Sequence, residues 1–482
     1  MKKRGFVPNI RTYGTLLHGY SRIEDWSHRT LQIANVHKIF DAYTSCVDTL
    51  KFQGVSSSEL SVLPLNTYIT ILGKAGLWQR LFDIINTINT DDAPFPDQFT
   101  YTAAIEALAN RKQITGLTEA QTQARNASDA KLIWRQALKA SSKLGFPVDS
   151  FLVCSALKTF TRGSPSDQLF AFDIVREYVG LVPPGEPPVE AKVPLNSFLL
   201  DCTLQLCVKA KKYSLCMHYL QQAMDTNATV VLTLHCNGAL QANALQAAMG
   251  SLTESTRALE IVEWMLQQDV LGAAARTPRA IRPNMNTFRC SLIACWRGAD
   301  WETAVRIFER LTHTQMNHYL DNGPTEYKTR TSSKALNPDA SIMSLLTRIA
   351  LASHEPANMR QCLRLINHLG QPILEGQEIT NSEGAEPTKD SPYYIATYAQ
   401  AVIDLVGAVT KKDGEEGGYA IPQTEAEQWD KLKRLAKAVS KAYPKWQTLP
   451  HPQLESNLKL GSALGLSATD THVDFAMTRR YV

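Results

Sequence analysis

The chain has 482 residues, 44% of them apolar and 20% charged, with 50 Lys and Arg against 46 Asp and Glu for a formal charge of +4. The apolar share is ordinary for a chain with a buried core, and the near-balanced charge neither demands nor excludes an anionic partner. No run approaches the roughly 18 apolar residues of a membrane span, and the nine cysteines include no CxxC pair, which points to small buried hydrophobes rather than a metal or disulfide framework.

Helical periodicity dominates from the start. In "GFVPNIRTYGTLLHGY" the residues Thr12, Tyr13, Leu16, Leu17 and Tyr20 repeat at helical spacing after Pro8-Asn9. "LNTYITILGKAG" and "AGLWQRLFDIINTI" read as two helices joined by a small-residue turn, the second striped with Leu81, Ile84, Ile85 and Ile88. "PFPDQFTYTAAIEAL" opens another helix, and the polar "KQITGLTEAQTQARNAS" after it is expected to be an inserted loop. "GFPVDSFLVCSALKTF" follows, then a Pro-rich insert, "VPPGEPPVEAKVP". "TVVLTL" is a short β-branched run that reads as either a strand or a helix start.

Further along, "STRALEIVEWMLQQ" carries Ala258, Ile261, Val262 and Met265 on one stripe, and an insert, "GAAARTPRAIRP", precedes "IRPNMNTFRCSLIACW". In "RGADWETAVRIFERLTH" the stripe is Ala304, Ile307, Phe308 and Leu311; a long insert then leads to "LNPDASIMSLLTRIA". Residues 371–392 and 411–424 read as linkers, 393–410 as a last repeat helix, 425–445 as a basic amphipathic helix and 446–482 as an irregular tail. The basic helix puts Trp429, Leu432, Leu435, Ala436 and Val439 on one side, and Lys431, Lys433, Arg434, Lys437 and Lys441 on the other.

The recurring phrase is Pro followed by Asn or Asp and then an amphipathic helix. Pro ends the helix before it, and the short polar side chain caps the one after it by accepting an early backbone N–H. Asp97, Asn284 and Asp339 suit that role whatever else they do. A second helix usually follows, so the chain reads as all-α, built from helical hairpins over residues 1–370.

Pro-Asn/Asp, Thr-Tyr or Thr-Phe, a small-residue turn and the second-helix stripe, in that order, resemble the pentatricopeptide repeat; the unit from Asn284 is among those that carry it best. The resemblance implies an α-solenoid, a superhelix of about seven to eight stacked hairpins with loop insertions over 1–370. Met1 to Asn9 resembles the close of such a unit, so the chain is expected to start inside a repeat with its targeting segment missing. The family's usual ligand is single-stranded RNA, read at about one base per repeat by a first-helix residue and the repeat's last residue. The resemblance therefore pairs Asn66 with Asp97, Thr102 with Asp149 and Asn237 with Asn284 as base-reading candidates, with Ser344 lacking an evident partner. Gly14, Cys154 and Arg289 hold the first position with residue types the family does not favour there.

Arg276, Arg279, Arg282, Lys209, Lys211 and Lys212 are candidates for phosphate contacts or simple solvation. No HExxH, GxSxG, GxGxxG or phosphate-loop pattern occurs, so no catalytic residue, metal or cofactor is expected. The resemblance to divergent fungal-type members implies a mitochondrial protein acting in RNA processing, stability or translation, including rRNA or mRNA maturation. Its expected partners are single-stranded organellar RNA, as mRNA or rRNA precursor, and the mitochondrial ribosome. The alternative is a protein-binding helical scaffold, such as a mitoribosome-associated or respiratory-complex assembly factor.

Overall fold

Asn and Asp open most of the first helices by the capping chemistry that the phrase implies. The side chains of Asn9, Asp97, Asp149, Asn196, Asn284 and Asp339 each accept a backbone N–H three residues on, at 2.9 to 3.0 Å. The Thr-Tyr pair has a physical meaning too. Thr100 and Thr287 close capping boxes by accepting the cap's own N–H, while Tyr101 and Phe288, the next residues, are buried.

The computed structural model describes residues 8–56, 59–88, 90–248, 254–275, 281–321, 335–376, 392–412 and 421–442. Among them there is no strand, and the helices divide into two compact units. The first, up to Val230, holds five hairpins: α1 Ile10–Ser21 with α2 Thr30–Phe52, α3 Leu63–Ala75 with α4 Trp78–Thr87, α5 Gln98–Asn110 with α6 Glu119–Leu144, α7 Ser150–Arg162 with α8 Pro165–Ile174, and α9 Ser197–Lys209 with α10 Tyr213–Asn227. First helices pack on first helices in the order α1, α3, α5, α7, α9, and each also packs on its own second helix.

The second unit, from Val231, repeats the plan with α11 Thr233–Ala247 and α12 Glu254–Ala275, α13 Met285–Gly298 and α14 Trp301–Thr312, α15 Ala340–Ala352 and α16 Pro356–Leu365, then the short α17 Gln371–Leu374 and the pair α18 Pro392–Lys412 and α19 Gln423–Ala442. Here α11, α13, α15 and α18 form the first-helix layer. Its core includes Phe308, Tyr319, Tyr398 and Trp429. No helix among the described residues is long and apolar enough to cross a membrane.

Several sequence expectations need correcting. Eight hairpins lie between Ile10 and Leu365, and a ninth follows them: α18 stacks on α15, and the basic helix α19, expected to stand apart, folds back on α18 as its second helix. The apolar side of α19 is buried through Trp429, Leu432 and Ala436. "KQITGLTEAQTQARNAS" is mostly helix: Thr118 and Gln121 form a capping box that starts the 26-residue α6 within the supposed loop. The stretch expected to be linker from 371 opens instead with the helix α17, on which Ile373 and Leu374 are buried. In "TVVLTL", Val230 closes a 3₁₀ turn, Ala228–Val230, and α11 starts at Thr233. The stretch 1–7, the tail 446–482, most of both linkers, and Arg276 and Arg279 lie outside the described residues.

Candidate functional site

The caps do more than start helices. Asn66, near the start of α3, donates from Nδ2 to Asp97 Oδ1 at 3.0 Å, and Thr100 Oγ1 donates to Asn66 Oδ1 at 2.6 Å. The wiring recurs in the second unit: Asn237 Nδ2 donates to Asn284 Oδ1 at 3.4 Å, and Thr287 Oγ1 donates to Asn237 Oδ1 at 2.7 Å. In both cases a first-helix amide reaches the cap of the next first helix and closes a ring through the Thr of the capping box. Two of the three pairs taken from sequence are thus hydrogen-bonded pairs.

The third pair is not. Thr102 Oγ1 donates to its own helix at Gln98 O, 2.7 Å away, while Asp149 caps α7. Ser344 is buried in α15, and no closing partner is bonded to it among the described residues. Arg289, set aside in the sequence as a departure, takes the cap-reaching role with a longer side chain. Its Nη2 lies 3.2 Å from Asp339 Oδ2 and its Nε 3.0 Å from Ser341 Oγ, with the guanidinium 5.4 Å from the centre of the Tyr394 ring. Arg is the side chain able to span that distance and still present a fork to a carboxylate.

Burial limits what this ladder offers to a ligand. Asn66 is 8% exposed and Asn237 6%, so their amides are mostly committed to the neighbouring cap. On α9, Asp201 is five residues past the Asn196 cap; burial raises its carboxyl, opposed by a hydrogen bond from Gln205 Nε2 at 2.8 Å and by Lys158.

A row of phenylalanines was missed in the sequence. Phe99, Phe151 and Phe198 each stand two residues past a cap, on the consecutive first helices α5, α7 and α9. Phe151 is 45% and Phe198 61% exposed, against the burial usual for this side chain. The signal was there to be read as Asp-Gln-Phe, Asp-Ser-Phe and Asn-Ser-Phe. Of the basic candidates, Lys209, Lys211, Lys212 and Arg282 are exposed, and Lys212 lies 4.4 Å from the centre of the Phe172 ring. Lys431, Arg434, Lys437 and Lys441 are exposed on α19, and Lys433 is half-buried. Among the described residues no cluster of His, Cys, Asp and Glu is placed to hold a metal ion.

No family model and no curated protein matches the chain. Among solved structures it is similar to the pentatricopeptide repeat protein PPR10 in complex with an 18-nt psaJ RNA element, with 14% identity and a TM-score of 0.37 over 93% of this chain and 57% of that one. The same figures hold for a form of PPR10 with three cysteines replaced by serine, bound to the same RNA element. The chain thus spans 57% of the length of the proteins it matches.

Proposed function

We propose that this chain binds single-stranded RNA along its first-helix layer. The observation that carries the reading is the row Phe99, Phe151 and Phe198, half-buried at Phe99 and exposed at the other two, repeated at one position on three adjacent first helices. Aromatic side chains spaced along a helical array are stacking platforms for unpaired bases, each worth about 1–3 kcal/mol. The sequence resemblance to pentatricopeptide repeats supports the same class of ligand. Base selection would fall to the polar atoms of Asn66, Asp97, Thr102, Asp149, Asn237, Asn284 and Ser344 that the ladder leaves available.

Anisotropy titration of the full chain with single-stranded and duplex RNA tests this. Single strands are expected to win, and F151A with F198A to weaken binding by about tenfold or more. No binding of single strands at about 50 mM salt, where backbone attraction is strong, would refute it. Replacing Asn66, Thr102 and Asn237 together is expected to relax base preference; unchanged selectivity would remove them from base reading.

The resemblance further motivates a mitochondrial protein that supports processing, stability or translation of organellar transcripts, with mRNA or rRNA precursors and the mitochondrial ribosome as partners and no catalytic step of its own. Imaging of the tagged protein against a mitochondrial marker checks the location. The competing scaffold reading draws on Leu132 and Leu169, which are more than half exposed on the contacting helices α6 and α8. It gains if RNA is ignored at low salt.

A further inference from the structure

In the second unit an arginine stands without an acceptor. Arg348, on α15, is half-buried, and it makes no hydrogen bond or ion pair among the described residues; its guanidinium lies 5.6 Å from the centre of the Trp296 ring on α13. Arg297 lies 5.2 Å from that same ring. Two guanidiniums therefore converge on one indole. Burial disfavours the charge on Arg348 and lowers its pKa, and the titratable groups near enough to offset this are the Tyr393 phenol and the Asp404 carboxylate. Asp404 accepts a hydrogen bond from Gln400 Nε2 at 2.9 Å and forms no ion pair with Arg348. A half-buried guanidinium set against an indole that a second guanidinium also approaches, with its donor fork unfilled by protein acceptors, is an arrangement that an anion completes.

The position narrows the anion. Trp296 lies seven residues beyond Arg289 on α13, so it shares that residue's side of the helix about 10 Å further along. The cluster therefore extends the side on which the cap ladder is built, across the adjacent helices α13 and α15. We propose that Arg348, Trp296 and Arg297 form a phosphodiester site for a single-stranded RNA backbone, two helical turns from the ladder, with Arg348 as the principal contact. The planar fork takes two phosphate oxygens at once, and the indole holds the guanidinium in place. The site rests on the RNA-binding reading and gives the second unit a backbone contact of its own.

The experiment is a salt titration of the full chain with a single-stranded oligouridylate, for the wild type, R348Q, R348K and R297Q, each checked for native helicity by circular dichroism. Removing one phosphate contact flattens the dependence of log affinity on log salt by about 0.7 for a single strand. R348Q is expected to show that flattening and to bind about three- to tenfold more weakly at low salt. R348K keeps the wild-type slope, and R297Q shifts in the same direction as R348Q. Wild-type binding with an unchanged slope in both R348Q and R297Q overturns the phosphate site alone. Absence of wild-type binding at low salt overturns the RNA reading and this site with it.

Discussion

Asn66 and Asn237 perform one task in two places, joining the start of one first helix to the cap of the next. Each lies in a nearly dry position, where an amide removed from one side strands the groups it satisfied. N66A is therefore expected to cost about 1–3 kcal/mol, read as a lowered urea midpoint, and T100V to cost a similar amount by opening the same ring. If N66A were neutral, the amide would not hold the ladder. The pairing of Asn66 with Asp97 and of Asn237 with Asn284 was reached through the resemblance, which sets a first-helix residue against the repeat's last residue; only Asp97 and Asn284 carry a Pro-Asn/Asp mark of their own. The Arg289–Asp339 pair was not, because residue type alone does not reveal that an arginine can reach the place an asparagine usually fills.

At the scale of the helix, spacing within the first-helix layer is set by small residues. A Cβ added at Gly73 on α3 would stand 2.5 Å from the Cβ of Ala107 on α5, a contact that requires the two helices to move apart. G73A is expected to destabilise the protein by about 1–3 kcal/mol, although alanine is the better helix former, and thermal melting checks the sign. A rise in melting temperature would show that α3 and α5 are not held together there. Helix identity was plain in the sequence wherever apolar residues repeat at three and four. Lengths were harder: α6 begins in a polar stretch whose only start signal is Thr118 with Gln121, and α17 continues helix into residues rich in Pro and Gly. Exposed phenylalanines also escaped notice, since in a periodic segment an apolar residue reads as core whichever way it faces.

At the scale of the whole chain, each unit carries a histidine bonded to a tyrosine. His37 Nδ1 lies 2.7 Å from Tyr68 Oη, and His368 Nδ1 lies 2.6 Å from Tyr319 Oη. Burial lowers the pKa of both imidazoles, with Arg80 adding to the effect at His37. The unfolded chain then takes up protons near the usual value of 6.5 while the folded chain resists them. Stability is accordingly full above that value and falls as pH drops through it. Urea midpoints are expected to be lower at pH about 5.5 than at about 7.5, with the gap narrowed in H37Q combined with H368Q. Equal midpoints at both pH values would exclude the effect.

The last hairpin has its own fastening. Arg364 spans Asp321 at 2.8 Å and Glu425 on α19 at 2.9 Å, while Arg360 pairs with the same Asp321. Burial would raise the Asp321 carboxyl, but the hydrogen bonds and charges of the two arginines outweigh it and hold it low. R364M is expected to cost about 2 kcal/mol and to speed hydrogen exchange in α19 first. Uniform exchange across the second unit would contradict that role.

The cap ladder has a consequence for how such a chain can change over generations. Because first helices are tied to first helices, at their starts in α3–α5, α11–α13 and α13–α15 and at their ends in α1–α3 and α5–α7, alignment is set within the layer and not by the second helices. Extra residues can enter a second helix or its loops, as in the 23 residues of α2, the 26 of α6 and the 22 of α12, while the caps stay in step. The two members of a ladder pair, by contrast, lie in different hairpins and must be inherited as a unit. An array of this kind tolerates insertions freely and point changes at its caps poorly, so its repeats can lose a common length long before they lose their alignment.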